Sequence, residues 1–479
     1  MAQPYTEPCA KQVIAAGPHA PSAVLPEAQR RWVLAACVLA SSMAFIDGSA
    51  LTVALPALKS DFGADLAAVQ WVINGYALAL AALTLIGGAL ADQYGKARML
   101  QLGAALFGAS SVACAIAPTV EWLIAARVLQ GVSAALLVPA SLALIGASYP
   151  QSERNRAIGV WAAASALTTA GGPVIGGWLT EVFGWEGVFW INPPLAAAVI
   201  IILSRLAAQC VREVRRFDVV GAALIASALF ALAWGLSAIG PGEGEAAASA
   251  LSVSMNAEVF LWLAASLAGL VAFVLWEQQT AAPMVPMRLF ARRDFAGLNA
   301  VTLGVYGALS VMFFLVPFEL VERRGLSAAM AGASLLPFTL GVGLLSRVFG
   351  GIADTIGAKA MIVAGSLGAA FAFALFAALA TQSLIVGILV PMAVLGVSFA
   401  VIVAPLTAAV MSSASEAEEG LASGINNTAS RIAQMIGVAA AAGIGSVTGG
   451  YTLGMWLAAA LALVAAGIAL TIGTPRQSA

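Results

Sequence analysis

The sequence predicts an all-α membrane protein with fourteen transmembrane helices, and its composition and its long apolar runs support this. Of its 479 residues, 61% are hydrophobic and only 9% are charged, whereas about a quarter of the residues of a soluble domain are charged. A run of about 20 apolar residues crosses the ~30 Å hydrocarbon core as a helix. The apolar runs are longer than barrel strands, and isolated strands would leave backbone groups unpaired in lipid. Lipid is therefore the solvent that this composition fits.

The apolar runs define the predicted helices in chain order. They lie at 32–56, 71–91, 99–117, 122–147, 157–180, 189–207, 219–238, 257–276, 295–320, 329–352, 361–379, 384–410, 421–446 and 451–472. The segment before them lacks the basic start and continuous apolar core of a signal peptide. We therefore expect residues 1–29 and 474–479 to be short cytoplasmic tails.

The basic residues predict the orientation. Loops on one side of the predicted spans collect most of the Lys and Arg, whereas the opposite loops receive only Lys59, Arg323 and Arg324. Cytoplasmic loops are enriched in Lys and Arg, and an even number of spans returns the chain to its starting side, so both termini are predicted to be cytoplasmic. Glu319 and Glu322, next to the two external arginines, are expected to form a solvated rim.

Two cytoplasmic connections repeat one pattern. GALADQYGKARML follows the second span, and GGIADTIGAKAMI follows the tenth. The same residue types recur in the same order and spacing, with Gly88, Asp92 and Gly95 in the first stretch and Gly350, Asp354 and Gly357 in the second. Repeats of this kind mark transporters built from two halves related by an axis along the membrane normal.

The repeat predicts the domain organisation. Two six-helix halves, at 30–208 and 283–473, account for twelve spans. The remaining two spans fall between them, in a linker at 209–282. We expect these two helices to form a hairpin that connects the halves.

Five stretches, in chain order, point to a known family. They are FIDGSALTVALP, GALADQYGKARML, RVLQGVSAA, AGGPVIGGWL and WEGVFWINPP. They are similar to the first-helix Asp motif, the Gly-x-Leu-Ala-Asp-Arg-x-Gly-Arg-Lys loop, the Arg-x-x-Gln-Gly motif, the Gly-Pro-x-x-Gly-Gly antiporter signature and the loop motif after it. The chain thus resembles the fourteen-helix drug:proton antiporter family of the major facilitator superfamily, over about residues 30–472.

The chain departs from these motifs at four positions. Gln93 and Glu186 stand where Arg is usual, and Ser49 and Thr52 stand where Thr and Asn are common. The resemblance implies the major facilitator fold, with two six-helix bundles plus a two-helix linker hairpin, and transport by alternating access.

Asp47 places a carboxylate about halfway along the first apolar run, where a charge costs roughly 2.5–3.5 kcal/mol on insertion scales. From the helical rise, Asp47 and Arg127 both lie about 8 Å below the outer face of the hydrocarbon core. The resemblance places their helices side by side along a central cavity. We therefore expect a coupled pair, direct or through water, in which Asp47 exchanges the coupling proton beside a permanently charged Arg127. The alternative is a static ion pair that fixes helix packing.

The repeated connections are candidates for a gate. Asp92 and Asp354 are expected to accept hydrogen bonds from a neighbouring helix N-terminus or a basic residue such as Arg98. Gly95 and Gly357 would allow the sharp turn. Such a latch would hold the outward-facing state. The alternative is a pair of loops with solvated charges that fix the topology.

Small residues crowd the fifth span at Gly172, Pro173, Gly176 and Gly177. Small residues let helices approach closely in lipid, and proline removes one backbone hydrogen bond. We expect a tightly packed, bendable seam between the halves, although ordinary helix packing would use the same residues.

Polar and aromatic residues inside other spans are candidates for the cavity or the interface. Asn427, Arg431 and Gln434 share one face of the span 421–446, so that face must meet protein or water. It either contacts substrate or seals the interface between the halves. The further candidates are Trp71, Asn74, Tyr76, Gln130 and Phe313. Aromatic rings would suit amphipathic cations through cation–π contacts, whereas the alternative is interfacial anchoring or core packing.

The predicted function is export of amphipathic or cationic drug-like compounds in exchange for protons. No Gly-x-x-x-x-Gly-Lys-Ser/Thr loop is present, which disfavours ATP as the energy source. His19 is the only histidine, and the four cysteines are scattered without paired spacing, so we expect no enzyme activity, no metal site and no cofactor. The net charge of −1 gives no reason to expect nucleic acid.

Three alternatives remain open at this point. The chain could export one natural metabolite, import a substrate by proton symport, or bind ligand as a sensor without transport. The antiporter-like signature disfavours import, and the short tails disfavour a sensor. We expect a monomer in the bacterial inner membrane whose partners are substrate, protons and lipid, with a periplasmic adaptor left open.

Overall fold

The described part of the chain is helical. The computed structural model describes residues 26–206, 218–237, 257–280, 283, 285, 287–414, 419–445 and 449–473, and no strand occurs among them. The predicted tail at 474–479 and the predicted boundaries near 208 and 282 lie at or beside residues outside this set. The domain boundaries therefore stay predictions.

Seven helices form the N-terminal half. They are α1 (Glu27–Phe62), α2 (Leu66–Tyr94), α3 (Lys96–Ala115), α4 (Val120–Ser148), α5 (Gln151–Phe183), α6 (Gly187–Trp190) and α7 (Asn192–Ser204). The first helix begins inside the predicted tail, because Glu27 and the basic residues after it continue the helix beyond the apolar run. Helix α5 continues through Pro173 without a break.

The following helices form a hairpin and a second half. The hairpin consists of α8 (Val219–Ser237) and α9 (Ala257–Gln279). The C-terminal half contains α10 (Arg293–Phe318), α11 (Ala328–Ala333), α12 (Leu336–Ile356), α13 (Ala358–Ala378), α14 (Val390–Ser412), α15 (Glu419–Gly445) and α16 (Gly450–Thr471). A 3₁₀ turn at Met287–Leu289 precedes α10, and π-helical turns at Glu319–Arg323 and Ile385–Leu389 extend α10 and precede α14.

Local sequence explains several helix boundaries. The side chains of Asp65, Thr119 and Ser327 accept hydrogen bonds from backbone N–H groups three residues onward, at the starts of α2, α4 and α11. These residue types satisfy helix N–H groups that have no partner within the helix. Two predicted spans, 189–207 and 329–352, are each divided into a short and a long helix. Proline in the first turn of α7 and of α12 marks the new starts.

By length and composition, ten helical segments of the described residues could each cross a membrane. The predicted all-helical membrane class is therefore confirmed, whereas the count of fourteen spans stays a prediction. Among the described residues, α12 contributes to the segment Ala328–Ser346, whereas none of the ten segments lies in α3, α5, α8 or α15.

The two halves repeat one packing pattern. In the N-terminal half α1 packs against α5, α2 against α4, and α3 against α4 and α7. In the C-terminal half α10 packs against α15, α12 against α14, and α13 against α14 and α16 in the same way. The repeat seen in the α2–α3 and α12–α13 connections therefore extends to the arrangement of whole helices.

The halves meet along two lines of contact, α5 with α11 and α2 with α15. The α8–α9 hairpin lies beside the second of these lines, where Leu229 of α8 packs against Leu78 of α2 and Met435 of α15. Helix α9 contacts mainly α8, and its outer face is apolar and exposed, as lipid contact requires. The hairpin thus covers one flank of the junction between the halves.

Candidate functional site: a buried ion pair and an inter-half arginine

Asp47 on α1 and Arg127 on α4 form a direct ion pair. The Arg127 Nη1 group donates to Asp47 Oδ2, and the two side chains are 1% and 0% exposed. The pair lies inside the N-terminal half instead of lining a cavity between the halves, which corrects the expectation drawn from the family resemblance. Helices α3 and α7 pack around α1 and α4 at this point and exclude solvent from the pair.

The second carboxylate oxygen of Asp47 is also occupied. Gln130 Nε2 donates to Asp47 Oδ1 at 2.9 Å, and Asn192 Nδ2 donates to the same oxygen at 3.3 Å. Arg127 is held by the carbonyl oxygen of Val72 at 3.0 Å from Nε and by Gln130 Oε1 at 2.6 Å from Nη1. An ionised carboxylate only accepts hydrogen bonds, so these partners match the charged form of Asp47.

Two residues of this network were not identified from the sequence. Ser111 on α3 accepts from Gln130 Nε2 at 3.2 Å and from Asn192 Nδ2 at 2.9 Å, and it donates to the carbonyl oxygen of Phe189 at 2.9 Å. Asn192 stands in the WEGVFWINPP stretch, which was a usable signal, whereas the sequence around Ser111 offers none. Gln130, predicted at the cavity or interface, is instead fully buried in this network.

Aromatic rings enclose the guanidinium of Arg127. Its central carbon lies 4.3 Å from the ring centroid of Tyr76 and 5.7 Å from that of Phe189. The Tyr76 hydroxyl donates to the carbonyl oxygen of Ala44 at 3.0 Å. Tyr76, predicted to line the cavity, is therefore part of the buried wall around the ion pair.

Arg431 lies near the middle of α15, where the two halves meet. Its guanidinium carbon is 5.7 Å from the ring centroid of Phe45, which belongs to α1 of the other half. The side chain is half-buried, and its electrostatic neighbours are the phenol groups of Tyr76 and Tyr306. On the same helix, Asn427 is exposed and Gln434 is half-buried. The structure thus places Arg431 where the two halves meet, on the helix face that the sequence expected to meet protein or water.

The other predicted cavity residues mostly pack against neighbours. Trp71 lies against Phe230 and Trp234 of the hairpin, with ring centroids 6.3 and 5.3 Å apart. Phe313 packs edge-on against Phe338 at 5.5 Å. Asn74 is fully buried, and neither atom of its amide has a hydrogen-bond partner among the described residues.

The two predicted gate connections share one backbone geometry. Gly95 and Gly357 have φ values of 103° and 96°, a region that disfavours residues with a side chain. The side chains of Asp92 and Asp354 lie outside the described residues, and Arg98 is exposed at the start of α3. The latch between these groups stays a prediction.

The glycines of α5 face two different partners. A Cβ at Gly172 would clash with Ser49, and one at Gly176 would clash with the backbone of Ala50, both on α1 of the same half. A Cβ at Gly177 would clash with Ala328 of α11 in the opposite half. A Cβ at Gly332 of α11 would in turn meet the backbone of Pro173.

Two helical halves of the same packing, with many apolar side chains exposed on the outside, define a multi-pass membrane protein. The chain is similar to known proteins over most of its length. The family model described as Major Facilitator Superfamily matches residues 37–438 and 299–479. The Multidrug resistance protein Stp of Mycobacterium tuberculosis is 33% identical over 88% of this chain and 75% of its own length.

A second relative is the Tetracenomycin C resistance and export protein of Streptomyces glaucescens, 31% identical over 86% of this chain and 75% of its own. The peptide transporter POT, solved as a crystal structure in complex with sulfate, has the same fold, with a TM-score of 0.67, 16% identity, and coverage of 96% of this chain and 97% of that one. The chain belongs to the major facilitator superfamily and, within it, to the drug:proton antiporter family that its motifs indicate. It is a transporter and not an enzyme.

Proposed function

We propose that the protein exports amphipathic, drug-like compounds from the cytoplasm in exchange for protons, and that Asp47 is the residue that binds the coupling proton. The names of its relatives, which concern drug resistance and export, support the direction and the broad class of substrate. The observation that supports proton coupling most directly is the Asp47 carboxylate, which is fully buried and surrounded by hydrogen-bond donors.

Protonation of Asp47 would change this network at several points. A neutral carboxyl group carries one O–H donor, so one of the donors around Asp47 would face another donor. Arg127 would also lose the charge that compensates it, and leaving one partner of a buried ion pair alone costs roughly 3–5 kcal/mol. Proton binding therefore requires helices α1 and α4 to move apart or to admit water. Such a movement would couple the proton to the change of access.

The driving force is adequate for export. A membrane potential of about 100 mV supplies about 2.3 kcal/mol per charge, which corresponds to roughly a fifty-fold concentration ratio for each net charge moved. Both termini are proposed to be cytoplasmic, in accordance with the basic residues of the loops. The proposed membrane is the bacterial inner membrane, and the working unit is a monomer.

The first test is proton release on addition of a panel of lipophilic dyes to the purified protein in weakly buffered solution. We expect the wild type to release protons when a substrate binds and the Asp47→Asn variant to release none, because the amide cannot ionise. Glu258→Gln removes an exposed carboxylate at the start of α9 and serves as the matched control. Proton release that persists in Asp47→Asn, together with proton-driven transport by the same variant in proteoliposomes, would move the coupling site away from Asp47.

Export of one natural metabolite is the second candidate, favoured by the similarity to the tetracenomycin C exporter. This narrower function would be supported if no dye of the panel causes proton release and a single natural product does.

A further inference from the structure

Arg431 is a cation at the junction of the two halves. Among the described residues, no carboxylate pairs with its guanidinium and no acceptor takes a hydrogen bond from it. Its guanidinium lies over the ring of Phe45, which belongs to the opposite half. A guanidinium offers five N–H donors, and a charge near the membrane centre costs at least roughly 2.5–3.5 kcal/mol. Because an unpaired charge in a membrane span is costly, we expect Arg431 to have a function.

The acidic residue at a similar level of the N-terminal half is not available to Arg431. Both oxygens of Asp47 are occupied by Arg127, Gln130 and Asn192, and the carboxylate is fully buried. Arg127 already compensates its charge. Among the described residues, no carboxylate compensates the positive charge of Arg431 where α15 meets the N-terminal half.

Aromatic rings of both halves lie near this charge, Phe45 and Tyr76 from the N-terminal half and Tyr306 from the C-terminal half. Phe45 packs edge-on against Trp161 at 6.4 Å in the N-terminal half, and Tyr306 packs edge-on against Phe399 at 6.3 Å in the C-terminal half. Phe45, Trp161 and Tyr306 are partly exposed. A flat aromatic molecule between the halves would meet ring faces and edges on two sides and a guanidinium on a third.

We propose that Arg431 binds the carboxylate or phenolate of an acidic aromatic substrate, so that the transporter prefers anionic aromatic compounds to lipophilic cations. This inference rests on the proposed export function and changes its predicted substrate class. A guanidinium holds a carboxylate by two parallel hydrogen bonds. It also repels a cationic ligand, and no carboxylate among the described residues pairs with Arg431 to offset that repulsion.

The first test measures binding of three probes of one shape and different charge to the purified protein in lipid nanodiscs. The probes are anthracene-9-carboxylate, anthracene-9-carboxamide and protonated 9-(aminomethyl)anthracene. Binding of each probe is measured by its fluorescence anisotropy. We expect the carboxylate to bind at least about tenfold more tightly than the ammonium probe, or about 1.4 kcal/mol. Equal or tighter binding of the ammonium probe would overturn the proposal, and this comparison needs no variant.

The second test uses variants at the same position. Arg431→Gln should weaken carboxylate binding at least about tenfold and leave carboxamide binding within about twofold. Arg431→Lys should keep part of the preference, since it retains the charge without the planar fork. Arg205→Gln removes an exposed arginine at the end of α7 and is the matched control. An unchanged order of the three probes in Arg431→Gln would show that Arg431 only seals the interface through Phe45.

Transport in proteoliposomes separates this inference from the proposed function. Export of the ammonium probe that depends on a proton gradient, and that Arg431→Gln leaves unchanged, would support the proposed function and overturn the role of Arg431. The anionic preference in binding without any proton-linked export would support the role of Arg431 and overturn the proposed function.

Discussion

Asp47 shows how the surroundings of one residue decide what its charge can do. Three hydrogen bonds, one each from Arg127, Gln130 and Asn192, occupy its two oxygens, so the negative charge is well accommodated. Ser111 connects two of these donors from α3. A proton that enters must therefore disturb several helices at once, which is the property that a coupling residue requires.

Asn74 is the opposite case, because its buried amide has no partner among the described residues. A buried polar group without a hydrogen bond costs about 1–3 kcal/mol. We expect Asn74→Leu to raise the thermal unfolding temperature of the detergent-purified protein, since leucine is similar in volume and needs no partner.

Asn299→Leu is the matched control for this prediction. Asn299 is also buried, but its Nδ2 group donates to the carbonyl oxygen of Phe295 at 2.9 Å, so its removal should raise the unfolding temperature less or lower it. An unfolding temperature that falls in Asn74→Leu would mean that this amide has a stabilising partner in the membrane-embedded protein.

At the scale of elements, α5 packs through glycine on two sides. Gly172 and Gly176 let it approach α1, and Gly177 lets it approach α11 in the opposite half. The sequence predicted a seam between the halves, and the structure divides this seam into an internal part and an inter-half part. Close approach without side chains is how helices associate in lipid, where burial of apolar surface gives no driving force.

Gly176→Ala tests the internal part of this packing. The added methyl group would clash with the backbone of Ala50, and overpacking of this kind costs about 1–3 kcal/mol. We expect a lower unfolding temperature and reduced transport.

Gly171→Ala, on the same helix, is the control. Its added Cβ would have as its nearest neighbour Ile175, at 4.0 Å, and alanine is the better helix former. Equal stability of the two variants would contradict the proposed close packing of α5 on α1.

At the scale of the whole molecule, the halves are closed against each other at the ends of α1 and α5. Lys59 pairs with Glu322 at 2.9 Å, and Glu181 accepts a hydrogen bond from the backbone N–H of Ala329 at 3.1 Å. Both contacts cross from the N-terminal to the C-terminal half. The distribution of basic residues predicts that this end is external, and on that prediction the halves are closed toward the outside.

The acidic and basic residues beyond α10 were expected to be a solvated rim, and that expectation was wrong for Glu319. Its side chain is only 5% exposed and pairs with Arg323 and Arg324. Glu319 begins a π-helical turn and is buried there, and Arg324 also donates to the carbonyl oxygens of Ala380 and Gln382. The cluster therefore ties α10 to the connection before α14.

Reversal of the Lys59–Glu322 pair tests whether it holds the halves closed. A partly exposed ion pair is worth up to about 1 kcal/mol, or about a fivefold change in the ratio of the two states. We expect Lys59→Glu to raise labelling of a cysteine introduced between the halves by up to about this factor, and Glu322→Lys in the same chain to restore it.

Labelling that stays raised in the double variant would mean that Lys59 acts through another contact, such as its position over the Phe318 ring at 5.7 Å. The wild-type protein with the same introduced cysteine provides the baseline.

The sequence predicted the all-helical class, most helix positions and the internal repeat, because apolar runs, helix caps such as Asp65 and the spacing of glycines are local properties of the chain. It also predicted that Asp47 and Arg127 share a level in the membrane. It did not predict the breaks at 191 and 334–335, where tertiary packing and proline divide a continuous apolar run.

Amino-acid composition, the apolar runs and the internal repeat alone determined that this is a membrane protein of two related halves. They also determined where its few charges within the spans lie along the chain. Only the tertiary structure decided which of those charges are neutralised. Arg127 reaches Asp47 together with Ser111 and Asn192, whereas Arg431 meets aromatic rings. The physical reason is that the cost of a charge in a membrane depends on its neighbours in space, and those neighbours come from helices distant in sequence.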